Sequence, residues 1–251
     1  MNGTVNDSAI IRSVKGNLAR LEKENAVSSR PVVTLAYAQS LDGCITACRG
    51  SSTAISSDQS MFMTHQLRAM HNAILIGINT VLVDDPRLTV RHANGENPIP
   101  VVLDSRLRTP PTARLLHQDR SQPIIATLPD ASKERELKLV ETGARVIRMP
   151  EAPGGGIQLT DLFLWLRQQE VKSLMIEGGS KVICSVLADC LGDQLVLTIA
   201  PKFFGRSGVR AAETLNCVRP ISKPCLTNVA VELLGDDMVV WGTLALDDTG
   251  K

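Results

Sequence analysis

From Pro31 onward, short unbroken apolar runs alternate with stretches whose apolar residues recur every three or four positions. Val32 to Ala38, Ala73 to Ile76, Pro100 to Leu103, residues 123–128 and Leu174 to Ile176 are the runs, and Arg145 to Arg148 is a further strand. Continuous apolarity over so few residues is what a parallel strand shows when both of its faces are covered. Between the runs, Ser57 or Asp58 caps a helix to about Met70, a charged helix lies near 132–142, and Thr160 to Gln169 turns Leu162, Phe163 and Leu166 inward. A further helix opens at Gly178-Gly179-Ser180 and runs to about Cys190. The ending changes character. After Gln194 to Ala200, two β-rich stretches, Val229 to Leu234 and Met238 to Leu246, flank Gly235-Asp236-Asp237, which is a hairpin signal. The expected fold is α/β, a mostly parallel central sheet flanked by helices with an antiparallel C-terminal hairpin.

Residues 1–30 stand apart as an N-terminal extension to one domain over 31–251. From Ser8 to about Asn25, Ile11, Val14, Leu18 and Leu21 recur at helical spacing among charged positions, giving an amphipathic helix that packs on the domain or on a partner subunit. Pro153-Gly154-Gly155-Gly156 reads as a flexible connection, too short to divide the domain.

Polar groups cluster where the apolar runs stop. Gln39-Ser40-Leu41-Asp42-Gly43, then Gly77 to Arg91, then Asp104-Ser105-Arg106, then Glu177-Gly178-Gly179-Ser180 each follow a strand, so four strand ends suggest one crevice. Ligands of open α/β sheets bind beyond the carboxyl ends of strands. The two glycines before a helix would let backbone N–H groups approach a diphosphate, although the Gly-x-Gly-x-x-Gly fingerprint is absent. Arg68 and Arg91 suit a phosphate, and Asp84 and Asp85 are candidate acids, bases, ligand acceptors or turn formers. His65 and His71 flank the end of the Arg68 helix and read as structural. Neither a Ser-His-Asp order nor a nucleophile elbow is visible.

Composition narrows the partners. A formal charge of +1 and 3% aromatic residues offer no basic footprint and few stacking platforms, which argues against nucleic acid. No apolar run nears the roughly 20 residues that span a bilayer, and no secretory signal opens the chain, so a cytoplasmic protein without membrane attachment is expected. The six cysteines form no C-x-x-C pair, which disfavours a metal site, and Cys184 and Cys190 read as small buried hydrophobes within a helix.

Together, Thr34 to Gly43, Leu67-Arg68-Ala69, Gly77 with Thr80 to Arg91, Asp104-Ser105-Arg106, Glu177-Gly178-Gly179 and Ile199 to Gly205 resemble the riboflavin-biosynthesis reductases, over about residues 31–246. The resemblance implies the dihydrofolate-reductase-like fold and NADPH-dependent opening of the ribose of a ribosylamino-pyrimidine 5′-phosphate, with hydride delivered to C1′. It implies that Ala38, Thr80, Asp84, Ser105, Gly178, Gly179, Ser180, Lys181, Val182 and Ile183 touch NADPH. Ser52, Arg68, Leu88, Arg91 and Glu177 would touch the substrate, with Glu177 and Asp84 as the catalytic candidates and no metal. One branch of the family is fused to a deaminase and reduces the uracil form; the other is free-standing and reduces 2,5-diamino-6-ribosylamino-4(3H)-pyrimidinone 5′-phosphate. This chain has no room for a deaminase and carries Ala36 where the fused branch commonly has lysine, so the diamino substrate is expected. The alternatives are the deaminated substrate, another pterin or pyrimidine, and a silent binding module. A homodimer is expected, paired through the β-rich C-terminal region with the N-terminal helix adding contact.

Overall fold

A computed structural model describes residues 8–24, 29–118, 122–213 and 223–247. Eleven strands and six α-helices are found there: α1 (Ala9–Glu24), β1 (Val32–Ser40), β2 (Cys44–Thr46), α2 (Asp58–Ala69), β3 (Ala73–Gly77), α3 (Ile78–Asp84), β4 (Ile99–Leu103), β5 (Ile124–Thr127), α4 (Lys133–Glu141), β6 (Arg145–Arg148), α5 (Leu159–Gln168), β7 (Ser173–Ile176), α6 (Ser180–Ala188), β8 (Gln194–Ala200), β9 (Val209–Arg210), β10 (Lys223–Leu234) and β11 (Asp237–Asp247). Nine strands make one sheet in the order β10-β11-β8-β1-β7-β3-β4-β5-β6. From β8 to β6 all neighbours pair in parallel, and β11 and β10 close that edge as an antiparallel pair.

The register places the polar strand ends side by side. Ile176 lies level with Leu35 of β1 and Leu75 of β3, and Gly77 lies level with Leu103 of β4. The segments after β1, β7, β3 and β4 therefore emerge from four adjacent strands along one rim of the sheet.

Helices cover both faces, which is why the strands read as unbroken apolar runs. Leu162, Phe163 and Leu166 of α5 and Ile183 and Val186 of α6 pack against Val33, Leu35, Leu75 and Val101. On the other face, α3 and α4 meet Ile74, Ile76 and Val102, while α1 and α2 meet Val32, Ala36, Met175, Val239 and Trp241.

Several features depart from the sequence reading. The face of α1 is built from Ile10, Val14 and Leu18, exposed by 0%, 1% and 5%, while Ile11 and Leu21 are only partly covered. Leu18 is thus occupied within its own chain and is not free for a partner subunit, so the extension shares a core with the rest of the chain. Pro153 to Gly156 is a tight turn, not a loose connection. The Ala152 N–H donates to the Gly156 carbonyl, the Gly155 N–H donates to the Ala152 carbonyl, and Glu151 bridges Ile157. Cys184 is buried as expected, but Cys190 lies past the end of α6, exposed and with φ of 55°. Asn25 and Cys217 lie outside the described residues. The segment after Gly77 is helical as α3, stopped at Asp85, whose φ is 40° and whose N–H donates to the Val81 carbonyl. Strands β2 and β9 pair with each other as a separate two-stranded sheet. No helix of the described residues is long and apolar enough to cross a membrane.

The burial of α1 makes a quantitative expectation. Ile10→Ala removes a fully buried side chain from the cluster joining α1, α2 and the sheet and should destabilise the fold by about 2–5 kcal/mol. Denaturant unfolding checks this; an unchanged midpoint would mean that α1 does not pack as described.

Candidate active site

At the centre of the rim, Glu177 leaves the end of β7 and meets Arg68 from the last turn of α2. The contact is bidentate: Arg68 Nε donates to Glu177 Oε1 at 2.5 Å and Nη2 donates to Oε2 at 2.6 Å. Both side chains are largely buried, at 10% and 14% exposure. The remaining terminal nitrogen, Nη1, donates to the Thr89 carbonyl at 3.1 Å. Burial alone would push the Arg68 guanidinium down, but the Glu177 charge and hydrogen bonds outweigh it and hold the group above the usual arginine value.

A buried polar chain fixes the end of α2 that presents Arg68. Gln194 Nε2 donates to Thr34 Oγ1 at 2.8 Å, Thr34 Oγ1 and His71 Nε2 lie 2.7 Å apart, and His71 Nδ1 lies 2.7 Å from the Leu67 carbonyl. One assignment satisfies every member: a neutral His71 donates from Nδ1 to Leu67 and accepts the Thr34 hydroxyl at Nε2. Burial pushes His71 down to about 4, which keeps it in that neutral form.

The loop after α3 carries the second arginine. Leu88 adopts φ of 59°, a backbone conformation that non-glycine residues adopt rarely, and its side chain is buried in the core. The Arg91 N–H donates to His65 Nδ1 at 3.1 Å, and Arg91 Nη1 donates to Thr89 Oγ1 at 3.1 Å. Burial, then the charges of Arg68 and Arg91, hold His65 down at about 4, so it stays a neutral acceptor for that N–H. An open cleft of about 480 Å³ begins here, with Arg87, Arg91 and Arg114 among its walls.

On the opposite side of Glu177 the chain makes the glycine turn into α6. Gly178 and Gly179 have φ of 105° and 88°, a region closed to most side chains. A Cβ on Gly179 would sit 3.7 Å from Thr80 Oγ1, so the first turn of α3 flanks the start of α6. The Ser180 Oγ is buried without a hydrogen-bond partner among the described residues. An unsatisfied hydroxyl, free first-turn N–H groups and backbone left bare by two glycines are what a dinucleotide diphosphate requires, so the residues present fit that group.

The other expected residues fall into distinct settings. Val182 and Ile183 bury their side chains in the core, and the Ile183 N–H donates to the Gly179 carbonyl. Lys181 is exposed, and Ala38 is half-buried near the end of β1. Ser105 sits on a loop held by Asp104, whose Oδ2 accepts from the Thr109 N–H at 2.7 Å and its hydroxyl at 2.8 Å. Ser52 is exposed in the loop before α2. Asp84 is exposed, one turn beyond Thr80 on the same side of α3 and removed from the Glu177 pair by that turn. Asp85 instead accepts the Arg114 N–H at 2.8 Å. Sequence reasoning also missed Asp42, which binds the Phe204 and Gly205 N–H groups and ties the end of β1 to the 201–205 loop. Those hydrogen bonds, led by that from Ser40, hold its carboxyl down at about 2.

With this geometry established, comparison with known proteins becomes decisive. A family model described as the RibD C-terminal domain matches residues 31–240. The chain belongs to this family. It is 36% identical over 224 residues to the 2,5-diamino-6-ribosylamino-4(3H)-pyrimidinone 5′-phosphate reductase of Methanothermobacter thermautotrophicus, covering 84% of this chain and 97% of that protein. It is 35% identical to the riboflavin biosynthesis protein RibD of Aquifex aeolicus over 84% of this chain, but spans only 57% of that longer protein. Among solved structures, the riboflavin biosynthesis reductase Rib7 of Saccharomyces cerevisiae superposes with a TM-score of 0.69 at 26% identity, over 90% of this chain and 99% of that one. The fold is the dihydrofolate-reductase-like one of the RibD reductase domains.

Both depressed histidines have the same consequence for stability. Unfolded, each titrates near 6.5; folded, each titrates near 4. Between those values the unfolded chain binds protons that the folded chain excludes, so the stability is fully present above about pH 6.5 and declines as pH falls towards 4. Unfolding measured across that window should show the decline, and His71→Gln should make it shallower. A flat profile in the parent protein would contradict the neutral, buried assignment.

Proposed function

We propose that this protein is an NADPH-dependent reductase that converts 2,5-diamino-6-ribosylamino-4(3H)-pyrimidinone 5′-phosphate to its ribitylamino product. The observation that carries this reading is the position of Glu177, a buried carboxylate that directly precedes the glycine turn into α6 and is paired with Arg68, which in turn holds the carbonyl of Thr89 in the wall of the arginine-lined cleft. A carboxylate joined to both a dinucleotide seat and an anion seat is where a phosphorylated sugar and a nicotinamide would meet. The names of the relatives point to the same substrate class.

Bound NADPH would supply a hydride to C1′ of the ribose, while opening of the sugar presents that carbon as an imine ready to accept it. The residues of this chain then do little beyond positioning and charge placement, which can account for most of the rate in such a transfer. Glu177, with both oxygens accepting from Arg68, is fixed in orientation, and its remaining lone pairs can accept a hydrogen bond from a sugar hydroxyl. Thr80, Gly178, Gly179 and Ser180 would hold the diphosphate. Asp84, which is exposed, and Ser105, which is half-buried, would contact the cofactor, with Asp84 orienting it instead of acting on the sugar.

Two features bear on the substrate. The chain carries Ala36 where the deaminase-fused branch commonly has lysine, and that side chain is buried beneath α1 and α2. The arginine cleft favours a phosphorylated ligand over a folate. For assembly, Val229, Val231 and Leu233 leave alternate positions of edge strand β10 exposed by 53%, 55% and 71%. Pairing of this edge in a cytoplasmic homodimer would cover them.

Oxidation of NADPH followed with the diamino and the deaminated substrate side by side should show a kcat/KM preference for the diamino form of at least about tenfold, equivalent to ~1.4 kcal/mol. Glu177→Gln should lower kcat strongly while leaving NADPH affinity nearly unchanged. Absence of turnover with both pyrimidines would overturn the proposed reaction.

A further inference from the structure

Residues 51–57, which lead from β2 towards α2, take no regular secondary structure. Among the described residues, positions 52–56 make no backbone–backbone hydrogen bond, so the order of this segment comes from side chains. At its start, Thr46 Oγ1 donates to the Ser51 carbonyl at 2.8 Å, and Thr53 Oγ1 accepts the Ala47 N–H at 3.1 Å. At its end, Asp237 Oδ2 accepts the Ser57 N–H at 2.7 Å. Between these anchors, Lys202 Nζ donates to the carbonyls of Ala54 and Ile55, at 3.1 and 2.7 Å. An ammonium group on two carbonyls makes charge-assisted hydrogen bonds, roughly twice as strong as neutral ones, where a helix or strand partner is lacking.

Lys202 is itself held in place. Its N–H donates to the Ala200 carbonyl at 2.7 Å, and its carbonyl accepts the Leu41 N–H at 2.8 Å. Asp42 then takes the Phe204 and Gly205 N–H groups, so the backbone on both sides of Lys202 is fixed to the end of β1. The clamped segment contains Ser52, which is exposed and which the family resemblance implies touches the substrate. The anchor at Ser57 separates this stretch from α2. Ser57 Oγ accepts the Ser60 N–H as the helix cap, and Arg68 at the far end is held by Glu177. Release of the Ala54 and Ile55 carbonyls therefore frees Ser52 while Arg68 stays in place. Thr80 and Gly178 to Ser180, the residues suited to the cofactor, lie on other elements.

We propose that Lys202 is a positioning residue of the substrate site: by holding the Ala54 and Ile55 carbonyls it fixes residues 51–57 and aims Ser52 at the pyrimidine substrate. This inference rests on the proposed reductase function. It gives the segment after β8 a part in substrate binding through a residue that lies outside the set implied by the family resemblance.

Kinetics with Lys202→Met, Lys202→Arg, Ser52→Ala and the Lys202→Met/Ser52→Ala double variant test it. Lys202 is exposed, so its variants should fold, and melting temperatures check that they do. In Lys202→Met, which removes the charge and leaves a flexible apolar chain, KM for the pyrimidine substrate should rise by about tenfold. Its kcat should stay within about twofold of the parent's, and its Kd for NADPH should be unchanged. Lys202→Arg keeps the donors and should recover part of the loss. Ser52→Ala should raise KM by itself, and the double variant should be no worse than the worse single one, because a clamp that acts through Ser52 then has nothing to aim. An unchanged KM, equal losses in Lys202→Met and Lys202→Arg, additive losses in the double variant, or weakened NADPH binding would each overturn the assignment. Proteolysis supplies a readout independent of turnover. Thermolysin should cut the folded Lys202→Met protein before Ile55 about tenfold faster than the parent, as loss of a charge-assisted contact and local opening predict. Equal cleavage would overturn the clamp. If neither pyrimidine is reduced yet the cleavage difference persists, the reaction is wrong and the clamp stands.

Discussion

The site is organised by the ion pair between Arg68 and Glu177. It joins the last turn of α2 to the end of β7, residues 109 positions apart in sequence, through two parallel hydrogen bonds. Both groups are withdrawn from water, so neither is tolerable alone, and removing one partner of such a pair typically costs about 3–5 kcal/mol. The same pairing need not add net stability over an apolar contact, and its value here is placement: it sets an anion at a fixed depth on the rim of the sheet.

The surrounding structure can be understood as support for that placement. The chain from Gln194 through Thr34 and His71 to Leu67 fixes the backbone next to Arg68, and it draws on β8, β1 and α2 at once. The Thr89 carbonyl ties the Arg91 loop to the same guanidinium, and His65 holds the Arg91 backbone. On the other side, parallel pairing of β3 with β7 brings Thr80 beside Gly179. The glycine turn into α6 follows Glu177 directly in the chain, and the arginine cleft is tied to the same ion pair through Thr89, whose carbonyl accepts from Arg68.

The elements buried on both faces were legible because burial leaves an unbroken apolar run, as in Ala73 to Ile76 and Leu174 to Ile176. The amphipathic register of α1 could be seen too, although Ile10, not Ile11, faces the core, a one-residue error that a short helix with neighbouring isoleucines invites. Strands β2 and β9 were hidden, since two or three residues are too few to show a period. Of the site, individual residues could be marked from strand ends, glycine pairs and resemblance, but their pairings could not. Arg68 could be marked as a candidate phosphate ligand, but its bidentate pairing with Glu177, 109 residues away, could not be read from the sequence. The His71 chain spans separations of 37 and 160 residues, and Arg114 reaches the cleft only because Asp85 captures its N–H, so neither leaves a local signal.

The account makes Arg68 and Glu177 one functional unit, and a double-mutant cycle on kcat/KM tests this most directly. Arg68→Gln, Glu177→Gln and the double variant would be compared under saturating NADPH. If the pair acts as a unit, each single substitution leaves its partner buried and unpaired, and the double variant should lose no more activity than the worse single one, giving a coupling of at least about 1–3 kcal/mol. Additive losses, with a coupling near zero, would show that the two residues act independently and would contradict the account.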